Sequence, residues 1–181
     1  AINKKWYVKT VLNDGSLASN NFTGIGTAKT PDGKDFASTV ESPLKYNPKV
    51  AKQNWEKAKK ELGKKEFAFT MNTQDTPASK IAAEYIKSQV ESNLPGVTLK
   101  IKQMPFKQKT TLELANNYEA TYSGWSPDYP DPTSFLETMT KDNAQNNTDW
   151  GNEEYDNLIK EANGSLLREP DKRNKALQKA E

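Results

Sequence analysis

At 181 residues the chain is long enough for one domain with a proper core, which would bury roughly 70% of its unfolded surface. Its 26 basic and 24 acidic residues leave a net charge of +2, and no one-signed stretch interleaved with aromatics is present, which argues against a nucleic-acid binder. Cysteine and histidine are both absent. That excludes disulfides, thiol catalysis and thiolate metal sites, and it removes the commonest general base and metal ligand.

With 34% apolar and 28% charged residues the composition is that of a soluble domain. No apolar run approaches the ~20 residues of a membrane span, and no signal peptide is visible. The opening Ala1-Ile2-Asn3-Lys4-Lys5-Trp6-Tyr7-Val8 reads as a helix already under way, and the last residues stop inside a charged helical pattern. An excised fragment is expected. Residues 13–43 are rich in Gly, Ser, Thr, Asn and Asp without sustained period, longer than most loops of compact domains. The segment is expected to wrap the surface or to face a missing lobe, with a turn at Pro31-Asp32-Gly33. Gly24-Ile25-Gly26 has no strand before it or helix after it, so it is loop and not a phosphate cradle.

Asn47-Pro48 starts a helix, with Asn as N-cap and Pro at the first helical position. Ala51, Trp55, Ala58 and Leu62 form its apolar stripe, and Gly63 ends it. The lysines between Lys45 and Lys65 form a solvated face. An alternation follows that defines the fold class. A strand spans 67–71, and a helix runs over 77–94 with Ile81, Tyr85, Ile86 and Val90 inward, broken by Pro95-Gly96. Val97, Leu99 and Ile101 then alternate with polar residues as in a half-buried strand. A weaker helix covers 107–116 and a strand 119–123. Strand and helix in this order predict an α/β fold with a mostly parallel sheet and flanking helices.

Gly124-Trp125-Ser126-Pro127-Asp128-Tyr129-Pro130-Asp131-Pro132-Thr133-Ser134-Phe135 comes next. Its three prolines rule out a helix interior or a central strand, so it is a stiff loop. In the chain it follows the carboxyl end of a strand, where open α/β sheets bind ligands. Trp125 and Tyr129 offer apolar walls with polar handles, and Asp128 a charge between them. Asp128 and Asp131 as a hydrolytic pair lack any fixed separation, and Asp128, Asp131 and Asp149 lack an EF-hand spacing for calcium. No catalytic residue, metal ligand or cofactor site is expected. Asp131 is expected to cap the helix that follows at 132–139. A polar loop then spans 142–149. Asn152 caps a further helix with Tyr155, Leu158 or Ile159, Ala162 and Leu166 inward, and Glu169-Pro170-Asp171 breaks it and starts the last.

The motif 124–136 resembles the signature loop of the peptide-binding proteins of ABC importers, the extracytoplasmic oligopeptide and dipeptide receptors of solute-binding protein family 5. The resemblance continues in Asn147-Thr148-Asp149-Trp150-Gly151-Asn152-Glu153-Glu154-Tyr155-Asp156, Leu158-Ile159, Asp171-Lys172-Arg173 and Ala176-Leu177, and upstream in Tyr46-Asn47-Pro48 to Leu62-Gly63 and Leu94-Pro95-Gly96-Val97. It implies a periplasmic-binding-protein-like type II lobe over 1–181, the carboxyl-terminal ligand-binding lobe of a longer two-lobed receptor. The implied ligand is an extended oligopeptide paired through its backbone as an added strand, with Asp128 at its amino terminus. Trp125 and Ser126 are the implied backbone-pairing wall, beside Tyr129, with Asn147 and Trp150 in a second segment. The implied partner is an ABC permease and the implied place the cell surface, as a lipoprotein. The lysine- and asparagine-rich composition suggests an A+T-rich genome and a Gram-positive source. Another solute on the same fold (a pheromone peptide, haem, a nickel complex or a glycan) and a plain protein-docking loop are the alternatives.

Overall fold

The computed structural model describes residues 1–181, which form two compact units. The first comprises Ala1–Ala18 and Lys45–Ser123, the second Ser19–Leu44 and Gly124–Glu181.

The first unit is built on a parallel sheet of β1 (Phe67–Gln74), β2 (Val97–Met104) and β3 (Ala120–Thr121) in the order β2-β1-β3. β1 lies alongside β2 from Phe67↔Val97 to Gln74↔Met104, and pairs with β3 at Met71↔Ala120 and Asn72↔Thr121. The strand expected over 119–123 therefore shortens to two paired residues. Glu119 instead turns its carboxylate to the Thr70 N–H of β1 (2.8 Å), and Tyr122 N–H adds one bond to Asn72 O.

The helices follow their caps. α1 (Lys4–Trp6) is capped by the Asn3 side chain and runs on as a π-helix, Tyr7–Leu12, so the helix expected from residue 1 begins at Lys4. α2 (Pro48–Leu62) starts where Asn47 Oδ1 accepts from Val50 N–H (3.0 Å) and ends at Gly63, φ +63°. Its Trp55 is half-buried against the sheet core and donates its indole N–H to Pro95 O (2.8 Å). Leu62, in the last turn, is exposed, contrary to the expected stripe. In α3 (Pro77–Asn93) the buried stripe is Ala82, Ala83 and Val90, with Ile81 outside it. Two adjacent alanines let the helix lie close on the sheet. Tyr85 turns instead to the first helix, stacking on Trp6 at 4.9 Å and on Tyr7 at 5.5 Å. α4 (Phe106–Leu114) carries a buried ion pair, Lys109 Nζ to Glu113 Oε1 at 2.6 Å, and Thr121 Oγ1 of β3 donates to the same carboxylate.

The second unit packs α5 (Thr133–Leu136), α6 (Glu153–Ala162) and α7 (Pro170–Ala180) around Phe36, Leu136, Ile159, Ala162 and Leu177. As expected, Asn152 caps α6, accepting from Tyr155 N–H at 3.0 Å. The segment expected to wrap the surface or to face a missing lobe is anchored in this core. Phe36 and Thr23 are fully buried, and Phe36 N–H bonds Ala28 O (2.9 Å). The expected turn is present, with Gly33 at φ +83° and its N–H on Thr30 O. This packing leaves no period in the sequence, because one buried aromatic, Phe36, and the small residues Thr23, Ala28, Thr30 and Ala37 hold the segment rather than a helix or strand face. No helix is long and apolar enough to cross a membrane.

Candidate functional site

The proline-rich loop belongs to the second unit and is tied down at few points. Trp125 donates its indole N–H to Ser134 O (2.7 Å), and Asp128 N–H donates to Ser134 Oγ (2.8 Å). Tyr129 OH lies 3.3 Å from Thr133 Oγ1 and 3.5 Å from Glu137 Oε2. Asp131 N–H bonds Tyr129 O (2.9 Å). Each of these partners is on or beside α5, so a short buried helix serves as the platform of the loop.

Between Gly124 and Tyr129 the only main-chain groups engaged within the chain are Asp128 N–H and Tyr129 O. The N–H groups of Trp125, Ser126 and Tyr129 are free of internal partners; Pro127 has none to offer. Trp125 is 40% and Tyr129 42% exposed, and Ser126 and Asp128 are exposed as well. No internal hydrogen bond or ion pair engages the Asp128 carboxylate. The loop thus presents unused backbone donors, two aromatic surfaces and one open negative charge.

Asp131, three residues on, is placed differently. Its Oδ1 accepts from Thr133 N–H (3.0 Å) and Thr133 Oγ1 (2.7 Å) at the start of α5, as expected for a capping carboxylate. It also receives Arg173 in a two-pronged ion pair, Nη1 to Oδ2 at 2.8 Å and Nη2 to Oδ1 at 2.9 Å. Arg173 Nε–H reaches Ala162 O (2.9 Å) at the end of α6. Burial pushes the Asp131 carboxyl up, but the hydrogen bonds from Arg173 and Thr133 outweigh it and hold the group below the usual aspartate value. A carboxylate so engaged is not one half of a hydrolytic pair with Asp128.

Asn147 and Trp150 lie apart from that cluster. Trp150 meets Tyr155 edge-to-face at 5.1 Å, and its carbonyl accepts from Asn146 Nδ2 (2.8 Å). Asn147 N–H bonds Gln145 O (3.0 Å). The ring contact of Trp150 is with Tyr155 and not with the aromatics of the loop. Both groups nevertheless trace back to α5, since Tyr155 OH donates to Leu136 O (2.6 Å). Ser134 and Arg173 stand in motifs that carry the family resemblance, but the sequence assigned neither a role. A serine two residues after Pro132, facing an Asp-Pro pair, carries no periodic signal, and an arginine in a charged helix resembles its neighbours.

A parallel α/β sheet with flanking helices, joined in sequence to such a loop, defines a lobe of the type II periplasmic-binding-protein class. The chain belongs to the bacterial extracellular solute-binding proteins, family 5, whose middle-region model matches residues 1–147. It is 34% identical over 163 residues to the dipeptide-binding protein of Lactococcus lactis subsp. cremoris, covering 90% of this chain and 30% of that one. Among solved structures, the substrate-binding domain of the oligopeptide ABC transporter of Bacillus anthracis str. Ames superposes with a TM-score of 0.94 at 42% identity, over 99% of this chain and 35% of that chain. The peptide-bound OppA of Listeria monocytogenes gives 0.91 at 34% identity, over 100% and 34%. The chain therefore spans about a third of the length of these relatives.

Proposed function

We propose that the chain is a lobe of the substrate-binding component of an ABC importer for oligopeptides, with residues 1–181 as a whole contributing to one side of the ligand cleft. The single observation that carries this reading is the loop 124–129, whose Trp125, Ser126 and Tyr129 N–H groups are left unused beside the exposed Asp128 carboxylate. An extended peptide pairs with such a backbone as an added strand, which makes binding indifferent to most side chains. Trp125 and Tyr129 wall the bound chain, Ser126 presents a backbone donor, and Asp128 receives the peptide's α-ammonium. Asn147 and Trp150 serve a second contact further along. The names of the relatives support peptide over haem, nickel or glycan, and the family's extracellular role supports delivery to a membrane permease by a lipoprotein-anchored receptor.

The test compares free and N-acetylated alanine peptides of two to six residues, by calorimetry on the full-length receptor. Acetylation should weaken binding to the wild type strongly and to Asp128→Asn hardly at all. Losing one partner of a desolvated charge pair typically costs about 2–5 kcal/mol, roughly 30-fold to several-thousand-fold in Kd. Equal binding of free and acetylated peptides by the wild type would remove Asp128 from this role.

A further inference from the structure

Ser134 commits all of its polar groups to the loop. Its N–H donates to Asp131 O (3.1 Å), its carbonyl accepts the Trp125 indole N–H (2.7 Å), and its hydroxyl oxygen accepts Asp128 N–H (2.8 Å). The residue is buried on α5, 4% exposed, whereas every residue it holds from Trp125 to Asp128 faces solvent. One fixed residue therefore grips the loop at three places within seven positions of sequence.

We propose that Ser134 is the positioning residue of the ligand loop, and that its hydroxyl fixes the place from which Asp128 presents its carboxylate. The inference rests on the peptide-receptor reading given above. Pro127, immediately before Asp128, has a fixed φ and supplies no N–H, so the backbone at Asp128 has one internal tether, the Ser134 Oγ acceptor. A held N–H fixes the rigid Pro127–Asp128 peptide plane and with it the position of the Asp128 Cα, the point from which the carboxylate departs. Without the acceptor, Asp128 N–H is satisfied by water instead, since the residue is exposed. The fold then loses little, and the fixed placement of Asp128 is lost. Charge-assisted recognition of an ammonium depends on that placement.

The experiment uses the full-length receptor with the same free and N-acetylated alanine peptides. Two variants are compared. Ser134→Ala deletes the acceptor, and Ser134→Cys fills nearly the same space with a weak one, which controls for a cavity. Both are expected to bind free peptides on the order of tenfold more weakly, while acetylated peptides change little, so that the ratio between the two narrows. The Asp128 amide resonance should move to the position of a water-exposed amide, with the rest of the spectrum retained. An unchanged ratio, or an equal loss for free and acetylated peptides, overturns the positioning role. If the wild type itself shows no preference for the free amine, it is the peptide-receptor reading that fails, and the two failures are thereby distinguished.

Discussion

Two aspartates three residues apart have opposite surroundings, and the difference predicts opposite phenotypes. Asp128 has an open carboxylate, while Asp131 sits between Thr133 and the Arg173 fork. Asp131→Asn keeps the shape but removes the charge from a half-buried pair. It should lower stability by about 2 kcal/mol at pH 7, as expected for hydrogen bonds to a charged group, and leave peptide affinity nearly unchanged. The pH dependence has a defined sign. Because the folded-state value is depressed below the ordinary 3.8, the stabilisation is complete above about pH 4 and falls away as the pH drops through the folded value. Urea unfolding from pH 7 down to 2 should show wild type and Asp131→Asn converging below pH 4. Parallel curves throughout would mean that the carboxylate's charge contributes nothing. The capping role of Asp131 was legible in the Asp-Pro-Thr order, because short side chains that accept from the next N–H groups are local. Arg173 was not, since it comes from forty-two positions away and nothing in the sequence near either residue points to the other.

At the level of elements, what was legible was whatever local chemistry dictates. The Asn47-Pro48 start, the Gly63 stop, the strand pair and the cap at Asn152 all follow from neighbours within four residues, whereas the Asn3 cap was read as helix. What was missed depends on packing. Ile81 and Leu62 carried the right period but lie outside the core: in α3 the face laid on the sheet is that of Ala82 and Ala83, and Leu62 stands exposed in the last turn of α2. Gly96 shows how strictly one turn is specified. Its φ is +88°, and a methyl group there would meet Lys65 O at 2.5 Å, while its own carbonyl accepts from Phe67 N–H at the start of β1. Gly96→Ala therefore combines a strained φ with a backbone clash and should cost about 2 kcal/mol or more. A shift of the urea midpoint below one tenth of its wild-type value would show that the turn relaxes freely.

The division of the whole chain into two units was not visible in the sequence. Composition and length are compatible with one domain, and the polar segment Ser19–Leu44 looked like a long excursion. In the structure it supplies Phe36 and Ala28 to a core completed by Leu136, Ile159 and Leu177. Glu181 also accepts from the Thr23 N–H (2.9 Å), and Gln178 Nε2 donates to Thr39 Oγ1 (2.8 Å). A chain cut after residue 169 should consequently lose the second unit's protection against amide exchange around Phe36 and Ile159, while β1 and β2 stay protected. Retained protection at Phe36 would show that α7 is dispensable to that core.

Those contacts also set a timetable for synthesis. The partners of Thr23 and Phe36 lie as far along the chain as Glu181 and Leu177, so residues 19–44 leave the ribosome long before those partners do. At translation rates of about 5–20 residues per second, that wait is on the order of ten seconds. A conventional amphipathic strand in this place would spend the interval as a sticky edge available to other nascent chains. The aperiodic run of Gly, Ser, Thr, Asn and Asp, with its apolar side chains scattered singly, offers no such edge. Its lack of pattern keeps a segment that must wait for its partner safe while it waits.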